Sequence, residues 1–492
     1  MSTLAEILSG VPVSPAIAAA QVSGVAYDSR KVGPGFLFFA FPGKHVDGGV
    51  FAAQALERGA LAIVSESPRP ADFNGFWIQV EHGRHALALA ARNFYGKPDE
   101  RIAITGITGT NGKTTTTYIL DSILRGAGHT TALAGTIESR LAGKATVAVN
   151  TTPESAELFR LFAELAAAGG THATMEVSSH ALALGRVYGI HFHTAVFTNL
   201  TRDHLDFHQT MEEYFAAKRM LFEGAGAPPP PFAVVNHDDA FGRRIKAAPG
   251  TERLSYGIGE GAAARACNIH SGFDGLHFEI VLGKERFPIV SPLPGRMNVY
   301  NILAAWCAGH TLGIAPELLA SGIAACRAVP GRFERVDEGQ PFLVVVDYAH
   351  TDDALRNVIG VARGLDPKRV ITLFGCGGDR DRAKRPMMGE AAAELSDFVV
   401  LTSDNPRSED PLAIINDALQ GLWRHDTPHV EEPDREKAIR IALAKAEPGD
   451  IVILAGKGHE TYQILKDRTI SLDDREVARR VLRGFGYSAV KE

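Results

Sequence analysis

Residues 101–128 read RIAITGITGTNGKTTTTYILDSILRGAG, and this stretch combines three patterns in succession. A short apolar run comes first, a glycine-rich turn follows it, and apolar residues at helical spacing complete the stretch. This order predicts a buried β-strand that leads through a tight turn into an amphipathic helix.

The turn TGTNGKTT, residues 108–115, has the chemistry of a phosphate-binding loop. Its glycines let backbone N–H groups approach an anion, Lys113 supplies a positive charge, and Thr114 supplies a hydroxyl group that suits Mg²⁺. The strict P-loop pattern has a glycine five positions before Gly112, where this chain has Ile107. An ordinary glycine turn is the alternative interpretation. The strand before the loop and the helix after it favour nucleotide binding.

Length and composition indicate a multi-domain enzyme. The chain has 492 residues, of which 45% are hydrophobic and 22% charged, and domains usually hold about 100–200 residues, so we expect three. The net charge of −6 argues against a nucleic-acid binder. The 4 cysteines show no CxxC spacing and are expected to be reduced. No export signal or membrane-spanning run is evident, which favours a cytoplasmic location.

Strand and helix patterns divide the chain into three parts. We predict a small α/β domain over 1–97, a central domain with a mostly parallel sheet over 98–331, and a Rossmann-like α/β domain over 332–492. In the third part, buried-strand runs end in polar, glycine-rich or proline-containing tips: FLVVVDYAH, VITLFGCGGD, FVVLTSDNP and DIVILAGKG. Such carboxyl-end tips are where ligands bind in open α/β sheets.

The version of the phosphate loop found here resembles that of the Mur ligases and their relatives, the folylpolyglutamate synthetases. Further motifs that match in order extend over nearly the whole chain. They are DSR at 28–30, NTTP at 150–153, MEVSSHAL at 175–182, TNLTRDHLDFH at 198–208, YFAAKRMLF at 214–222, NVYN at 298–301, GRFE at 331–334, VDYAHT at 346–351, GCGGDRD at 375–381, SDNPR at 403–407 and GKGHE at 456–460. Within the family, these motifs most resemble those of the UDP-N-acetylmuramoyl-tripeptide synthetases, which add the third amino acid.

The resemblance implies an ATP-dependent ligase of cytoplasmic peptidoglycan synthesis. It implies that the 1–97 domain binds UDP, that 98–331 binds ATP and that 332–492 binds an amino acid. The reaction would join meso-diaminopimelate to UDP-N-acetylmuramoyl-L-alanyl-D-glutamate through an acyl phosphate, with Mg²⁺ neutralising charge on phosphate oxygens. We expect a monomer.

The resemblance also assigns residues to ATP and Mg²⁺. The nucleotide would contact Gly109, Thr110, Asn111, Gly112, Lys113, Thr114, Thr115, Asn298, Asn301, Arg332, Asp347 and His350. One Mg²⁺ would bind Thr114 and Glu176, since oxygen ligands suit a hard cation. A second would bind Glu176, His204 and Lys218, with Lys113, Glu176, His204 and Lys218 forming the catalytic set.

Lys218 is an unusual metal ligand, because an ammonium group repels Mg²⁺. The matching lysine of the family is carbamylated, which replaces the positive charge with a carboxylate-like anion. The residues Asp203, His204, Asp206 and His208 also allow a zinc site. The phosphates and oxygen ligands favour Mg²⁺ instead.

For the UDP-linked substrate, the resemblance implies uridine contacts from Tyr27, Ser29, Lys44, His45 and Val46. It implies muramoyl-peptide contacts from Asn150, Thr151, Thr152, Ser178, Leu184 and Arg186. Leu184 stands where some relatives have glutamine, so we expect one polar contact to be missing. Asp352 stands where the family commonly has proline, which we expect to loosen the start of the following helix.

The incoming amino acid is predicted from the DNPR motif of diaminopimelate-adding enzymes. Meso-diaminopimelate ends in a second carboxylate and ammonium, so its pocket needs both a guanidinium and an acid. The pocket would hold Arg380, Asp404, Asn405, Pro406, Arg407, Gly456 and Glu460. A lysine-adding Mur ligase, a folylpolyglutamate-type ligase and a P-loop ATPase or switch protein remain as alternatives.

Overall fold

The structure is a computed structural model that describes residues 2–43, 46–272 and 275–488. Its amino-terminal part contains a four-stranded parallel sheet with the strands in sequence order. The strands are β1 (Gly24–Ala26), β2 (Phe36–Ala40), β3 (Ala62–Ser65) and β4 (Trp77–Gln79), and the helices are α1 (Leu4–Ile7), α2 (Ala52–Glu57) and α3 (Gly83–Phe94). Apolar side chains pack on both faces of this sheet, so its strands are nearly continuous hydrophobic runs.

The central part contains an eleven-stranded sheet in the order β15-β14-β13-β12-β11-β10-β5-β9-β6-β7-β8. The strands are β5 (Ala103–Thr108), β6 (Thr131–Ala134), β7 (Glu138–Leu141), β8 (Lys144–Val147), β9 (His172–Glu176), β10 (Thr194–Phe197), β11 (Phe232–Asn236), β12 (Glu252–Gly257), β13 (Ala264–Gly272), β14 (Gly275–Leu282) and β15 (Glu285–Ser291). The helices are α4 (Lys113–Gly126), α5 (Ser155–Ala167), α6 (Ser179–Ala183), α7 (Leu205–His208), α8 (Met211–Glu223), α9 (Arg296–Thr311) and α10 (Pro316–Ala325). Strands β6, β9, β5, β10, β11, β12 and β13 run parallel, and antiparallel strands extend both edges.

The carboxyl-terminal part contains a six-stranded sheet in the order β16-β17-β21-β18-β19-β20, in which only β16 is antiparallel to its neighbour. The strands are β16 (Glu334–Val336), β17 (Leu343–Asp347), β18 (Val370–Cys376), β19 (Phe398–Ser403), β20 (His429–Glu432) and β21 (Ile451–Ala455), with a hairpin of β22 (Tyr462–Ile464) and β23 (Thr469–Ser471). The helices are α11 (Asp352–Arg363), α12 (Lys384–Leu395), α13 (Pro411–Leu422), α14 (Arg435–Lys445) and α15 (Asp474–Gly484). Helices cover both faces of the sheet and bury two separate apolar clusters.

These sheets confirm the predicted α/β class and the mostly parallel central sheet. The boundaries at 97/98 and 331/332 stay predictions. Helix α11 begins at Asp352 with an intact cap, because Thr351 Oγ1 accepts a hydrogen bond from Ala354 N at 3.2 Å. The helix thus keeps its amino-terminal cap with aspartate in place of proline, and the looser helix start stays a prediction. None of the helices in the described part of the chain is both long and apolar enough to cross a bilayer.

Helices α12 and α13 approach so closely that two glycines are required at their contact. A Cβ atom on Gly421 would lie 1.7 Å from Pro386 O, and one on Gly389 would lie 2.1 Å from Ala418 O. In contrast, a Cβ atom on Gly360 of α11 would meet no atom within 4 Å.

We predict opposite effects of alanine at two helical glycines. Gly421→Ala should lower the free energy of unfolding by about 1–3 kcal/mol or more, because the backbone of α12 has to move away. Gly360→Ala should raise it by about 0.4–1 kcal/mol, because alanine restricts the unfolded chain. Scanning calorimetry measures both shifts. Equal melting temperatures for the two variants would contradict the close approach of the helices.

Candidate active site

Polar residues at the carboxyl ends of four parallel strands meet at one edge of the central sheet. The phosphate loop follows β5, Thr136 follows β6, Glu176 ends β9 and Asn199 follows β10. They line a cavity of ≈ 510 Å³, whose other wall comes from the carboxyl-terminal part. The cavity therefore lies between two sheets.

The phosphate loop passes so close to neighbouring side chains that two of its positions require glycine. Gly112 has φ 86°, and a Cβ atom there would lie 2.3 Å from Asn301 Oδ1. A Cβ atom on Gly109 would lie 1.8 Å from Thr198 Oγ1. Asn199 brackets the loop, because its Oδ1 accepts from Asn111 N at 2.9 Å and its Nδ2 donates to Asn111 O at 3.0 Å. The loop is thus fixed from the tip of β10.

Glu176 is buried, and hydroxyl groups from two strand tips surround its carboxylate. Thr114 Oγ1 donates to Glu176 Oε2 at 3.0 Å. Thr136 Oγ1 donates to the same oxygen at 3.0 Å, and Thr136 N donates to Glu176 Oε1 at 2.8 Å. This arrangement places two kinds of oxygen that suit a hard cation beside the phosphate loop.

Two lysine amines converge on one carbonyl oxygen of the loop. Lys113 Nζ donates to Gly109 O at 3.0 Å, and Lys218 Nζ donates to the same oxygen at 2.7 Å. Lys218 is 1% exposed and lies over the Tyr214 ring, 4.4 Å from its centroid. Burial and the nearby Lys113 charge hold the pKa of Lys218 well below its ordinary value. A buried amine in this setting favours its neutral form.

His204 lies beside Asp203, with Nε2 3.4 Å from Asp203 Oδ2. Burial lowers the pKa of His204, although Asp203 opposes the shift. The imidazole is therefore neutral at physiological pH and keeps a nitrogen lone pair that can bind a metal. His208 has a different environment, because its Nε2 lies 2.9 Å from Ser179 Oγ and its ring stacks on Tyr214.

The carboxyl-terminal wall of the cavity contacts the phosphate loop directly. Arg332 Nη2 donates to Thr114 Oγ1 at 3.2 Å. Asp353 Oδ2 accepts from Asn111 Nδ2 at 2.7 Å and from Thr201 Oγ1 at 3.2 Å. These contacts make the cavity a joint product of both parts of the chain.

Asp347 and His350 line the same wall of the cavity. Asp347 ends β17, and its carboxylate accepts from Phe333 N at 2.7 Å and Ala349 N at 2.8 Å. Burial raises the pKa of Asp347. His350 Nδ1 lies 2.8 Å from Tyr348 O, and burial lowers the pKa of His350.

The start of α9 also lines the cavity. Asn298 Nδ2 donates to Pro294 O at 2.7 Å, and Asn301 Nδ2 donates to Asn298 Oδ1 at 3.0 Å. Both asparagines are buried and line the cavity. Their side chains are therefore fixed before any ligand arrives.

A second polar group extends from Glu176 towards α6. Thr152 Oγ1 donates to Glu176 O at 2.9 Å and accepts from Ser178 N at 3.0 Å. Arg186 Nη1 donates to Thr152 O at 3.1 Å, and Arg186 Nε lies 3.0 Å from Glu154 Oε1. The residues predicted to contact the muramoyl peptide thus adjoin the metal-binding candidates.

The remaining substrate candidates lie farther out. Thr151 lines the cavity, Asn150 is exposed, and Leu184 is partly exposed at the end of α6. In the amino-terminal part, Tyr27 OH donates to Glu157 Oε1 at 2.8 Å and Ser29 Oγ donates to Gln54 Oε1 at 2.7 Å. Val46 is exposed. Lys44 and His45 lie outside the described residues.

The tips of β19 and β21 form a charged cluster in the carboxyl-terminal part. Asn405 Nδ2 donates to Glu460 Oε2 at 3.0 Å, and a Cβ atom on Gly456 would lie 2.6 Å from Asp404 Oδ2. Arg407 has φ 53°, and its Nη1 donates to Gly378 O at 2.7 Å. Burial and the nearby Arg380 charge lower the pKa of Arg407. Pro406 separates Asn405 from Arg407.

The structure brings together most of the residues predicted for nucleotide and metal. The predicted residues that line the cavity are Thr110, Asn111, Gly112, Lys113, Thr114, Thr115, Thr151, Glu176, Ser178, His204, Asn298, Asn301, Arg332, Asp347 and His350. Gly109 belongs to the phosphate loop, and Lys218 donates to its carbonyl oxygen at 2.7 Å. Sequence reasoning missed Thr136, Asn199 and Asp353. Asn199 lies in a quoted motif, Asp353 lies beside one, and Thr136 is a polar residue just beyond a strand.

Comparison with known protein families covers most of the chain. Residues 21–95 match the family described as Mur ligase family, catalytic domain, and residues 107–309 match the Mur ligase middle domain. Residues 331–458 match the Mur ligase, glutamate ligase domain. The chain belongs to the Mur ligase family. The resemblance inferred from the ordered motifs is therefore confirmed.

Two relatives of this Mur ligase carry the same name. A protein of Solibacter usitatus (strain Ellin6076) is 68% identical over 98% of this chain and 99% of its own, and is named UDP-N-acetylmuramoyl-L-alanyl-D-glutamate--2,6-diaminopimelate ligase. A protein of Geobacillus thermodenitrificans (strain NG80-2) with the same name is 47% identical over 94% of this chain and 95% of its own.

Solved structures show the same architecture. A structure of UDP-N-acetylmuramoyl-L-alanyl-D-glutamate--2,6-diaminopimelate ligase is 31% identical with a TM-score of 0.71, and covers 99% of this Mur ligase and 100% of its own chain. The MurF ligase from Thermotoga maritima in complex with ADP shares the fold, with 19% identity, a TM-score of 0.65, and coverage of 94% and 98%.

Two glycines that flank α4 test whether the loop geometry serves the nucleotide. Gly112→Ala and Gly128→Ala carry similar backbone strain, because φ is 86° and 87°, but a Cβ atom has open space only at Gly128. We predict that Gly112→Ala weakens binding of a fluorescent ATP analogue at least about tenfold, or about 1.4 kcal/mol. Gly128→Ala should leave the affinity within about twofold, or about 0.4 kcal/mol. Equal losses of affinity for the two variants in a titration would show that backbone strain alone weakens the binding of the ATP analogue.

Proposed function

We propose that this Mur ligase is a cytoplasmic, monomeric, ATP-dependent enzyme that adds meso-diaminopimelate to UDP-N-acetylmuramoyl-L-alanyl-D-glutamate. The observation that carries the proposal is the joint cavity, where the phosphate loop and Glu176 face Arg332, Asp347 and His350. The choice of amino acid is supported by the names of the relatives and by Arg407 beside acidic groups.

The chemistry requires a poor electrophile to be activated. A carboxylate of the UDP-linked dipeptide would attack the γ-phosphorus of ATP, forming an acyl phosphate and releasing ADP. The amine of the incoming amino acid then attacks the acyl carbon and phosphate leaves, with loss of a proton from nitrogen. Positioning and charge neutralisation dominate catalysis of such phosphoryl transfer.

The phosphate loop would bind the triphosphate of ATP. Its backbone N–H groups lie at the start of α4, where the helix dipole also favours an anion. Lys113 now donates to two loop carbonyls, Gly109 O at 3.0 Å and Thr110 O at 2.8 Å. Turning its amine to the γ-phosphate exchanges these neutral acceptors for a charged one. Asp347, which ends β17, would accept from the ribose hydroxyls.

The residues present fit Mg²⁺. Thr114 Oγ1 and Glu176 Oε2 are 3.0 Å apart, buried and adjacent to the loop, and both are oxygen donors. They would hold one ion, and Glu176, His204 and a modified Lys218 would hold another. The ion supplies neutralisation of charge on the phosphate oxygens when bound.

Lys218 has the environment of an amine that reacts with CO2. Its Nζ and that of Lys113 share one carbonyl oxygen, and two ammonium ions in that position would repel each other. The neutral amine attacks CO2, a C–N bond forms, and the nitrogen releases a proton. The resulting carbamate carries a negative charge, so the ammonium group of Lys113 attracts it.

The cluster at the tips of β19 and β21 suits the distal end of diaminopimelate. Arg407 offers a guanidinium to the distal carboxylate, while Asp404 and Glu460 offer acceptors to the distal ammonium. Lysine carries only the ammonium at that end. Arg407 would therefore contribute little to the binding of lysine.

A substrate assay tests the proposed reaction. With ATP, Mg²⁺ and the UDP-linked dipeptide, the unmutated protein should incorporate diaminopimelate far better than lysine. Arg407→Ala should raise KM for diaminopimelate about 10- to 100-fold, since a hydrogen bond to a charged group contributes about 1.5–3 kcal/mol. Arg424→Ala, which removes an exposed arginine paired with Glu390, should behave as the unmutated protein.

The same assay separates the alternatives. Equal incorporation of lysine and diaminopimelate would contradict the predicted specificity. Steady ATP hydrolysis with neither the amino acid nor the UDP-linked dipeptide would indicate an ATPase or switch protein instead.

Carbamylation of Lys218 is testable without turnover. Protein equilibrated with ¹³C-bicarbonate at mildly alkaline pH should show a carbamate carbon resonance by NMR. Because the pKa of Lys218 is lowered, its amine stays neutral near neutral pH, and the resonance should disappear once acid protonates it. Lys218→Arg should lack the signal, whereas Lys437→Arg, at an exposed site, should retain it. A signal unaffected by Lys218→Arg would contradict the assignment.

A further inference from the structure

Lys457 lies in the loop after β21, and its side chain has no exposed surface. Its Nζ donates to Glu460 Oε2 at 2.8 Å and to Asn405 Oδ1 at 3.0 Å. The same nitrogen is 3.8 Å from Asp404 Oδ1. One buried ammonium group therefore contacts or adjoins three residues of the proposed amino-acid pocket.

These contacts join strand tips that are not neighbours in the sheet. Strands β19 and β21 are separated by β18, so the two strands do not pair with each other. The ammonium of Lys457 supplies a direct link, from its own loop to Asn405 after β19. It acts beside other hydrogen bonds between the two segments, from Asn405 Nδ2 to Glu460 Oε2 at 3.0 Å, from Gln463 Nε2 to Asp404 O at 2.6 Å and from Arg407 N to Ile464 O at 3.1 Å. Lys457 differs from these links because it brings a positive charge to the acids.

Lys457 also fixes which way the amide of Asn405 points. Asn405 Oδ1 accepts from Lys457 Nζ at 3.0 Å and from Ile464 N at 2.9 Å, while Nδ2 donates to Glu460. With both donors on one side, the amide nitrogen is directed to the acid. Glu460 in turn has Oε2 engaged by two donors, and Oε1 accepts no hydrogen bond from the residues that the structure describes.

The charge of Lys457 has a clear consequence for the two nearby acids. Carboxylates taken out of water need a partner, and two of them close together repel each other. Lys457 lies between Asp404 and Glu460 and offsets that repulsion. Because the ammonium group of Lys457 is fully buried, it cannot contact the amino acid directly. Lys457 therefore affects amino-acid binding through the residues that it contacts.

Other buried cations of the carboxyl-terminal part have different partners. Arg385 pairs with Glu409 and Asp417. Arg435 pairs with Asp474 and also donates to Ser403 O and Ala455 O at the ends of β19 and β21. These acids are not among the residues proposed to bind the amino acid. Lys457 is thus distinguished by the identity of its partners and not by burial alone.

We propose that Lys457 is a positioning residue for the incoming amino acid, holding Asn405 and Glu460 in the orientation that receives its distal end. This inference rests on the proposed function. It assigns to Lys457 an effect on amino-acid binding and none on the nucleotide.

The test compares the KM values for the three substrates in the full-length enzyme. Lys457→Met keeps a flexible side chain of similar length and removes the charge. KM for diaminopimelate should rise about 10- to 100-fold, as expected for loss of charged hydrogen bonds, while KM for ATP and for the UDP-linked dipeptide should change less than about twofold. Arg92→Met removes a largely buried cation paired with Asp99 in another part of the chain, and it should lower the melting temperature without changing any KM.

A double-mutant cycle adds a readout that general damage would not give. If Lys457 acts through Glu460, Lys457→Met combined with Glu460→Gln should raise KM no more than the larger single change, because coupled residues are not additive. Additive effects, an unchanged KM for diaminopimelate, or parallel rises in every KM would each overturn the proposal.

Two further outcomes are decisive. If Lys457→Met does not fold, Lys457→Gln, which keeps a donor, replaces it, and failure of both to fold would show a folding role and overturn the proposal. If the unmutated protein does not use diaminopimelate, the proposed function fails. If it does and Lys457→Met has the same KM, only the role of Lys457 fails.

Discussion

Parallel strands of a sheet end on the same edge, and this constraint creates the candidate active site. It brings Thr114 within 3.0 Å of Glu176, although 62 positions separate them in the chain. The same constraint in the carboxyl-terminal sheet gathers Asp347, Asp404 and Gly456 at a second edge. Catalytic and binding candidates thus come from loops, while the strands and helices beneath them supply the rigid support.

The cavity depends on both edges because their residues bond to each other. Arg332 reaches the hydroxyl of Thr114, and Asp353 accepts from Asn111. Each hydrogen bond joins a residue at the start of α4, or just before it, to a residue of the carboxyl-terminal part. Burial shifts the pKa values of Lys218, Asp347 and His350 away from their charged forms.

Most residues of the nucleotide cavity were predicted through the resemblance to the Mur ligases. Local patterns in the sequence predicted the α/β class and the strand-turn-helix unit of the phosphate loop. These succeed because hydrophobic periodicity and glycine placement are local signals. Thr136 and Asp353 were not predicted, because their contacts with Glu176 and Asn111 form only when distant loops come together. The positive φ of Arg407 was equally invisible, since the strain is imposed by surrounding contacts such as Arg407 N to Ile464 O at 3.1 Å. The uridine contacts and domain boundaries stay predictions.

The contacts between the central and the carboxyl-terminal sheet limit how related enzymes can exchange segments. A carboxyl-terminal segment transplanted from a relative would bring its own amino-acid pocket, but it would also replace Arg332 and Asp353. A functional hybrid therefore requires a donor whose residues at those positions complement Thr114 and Asn111 of the recipient. Under the proposed function, specificity for the amino acid can be recombined only together with Arg332 and Asp353 of the candidate nucleotide site.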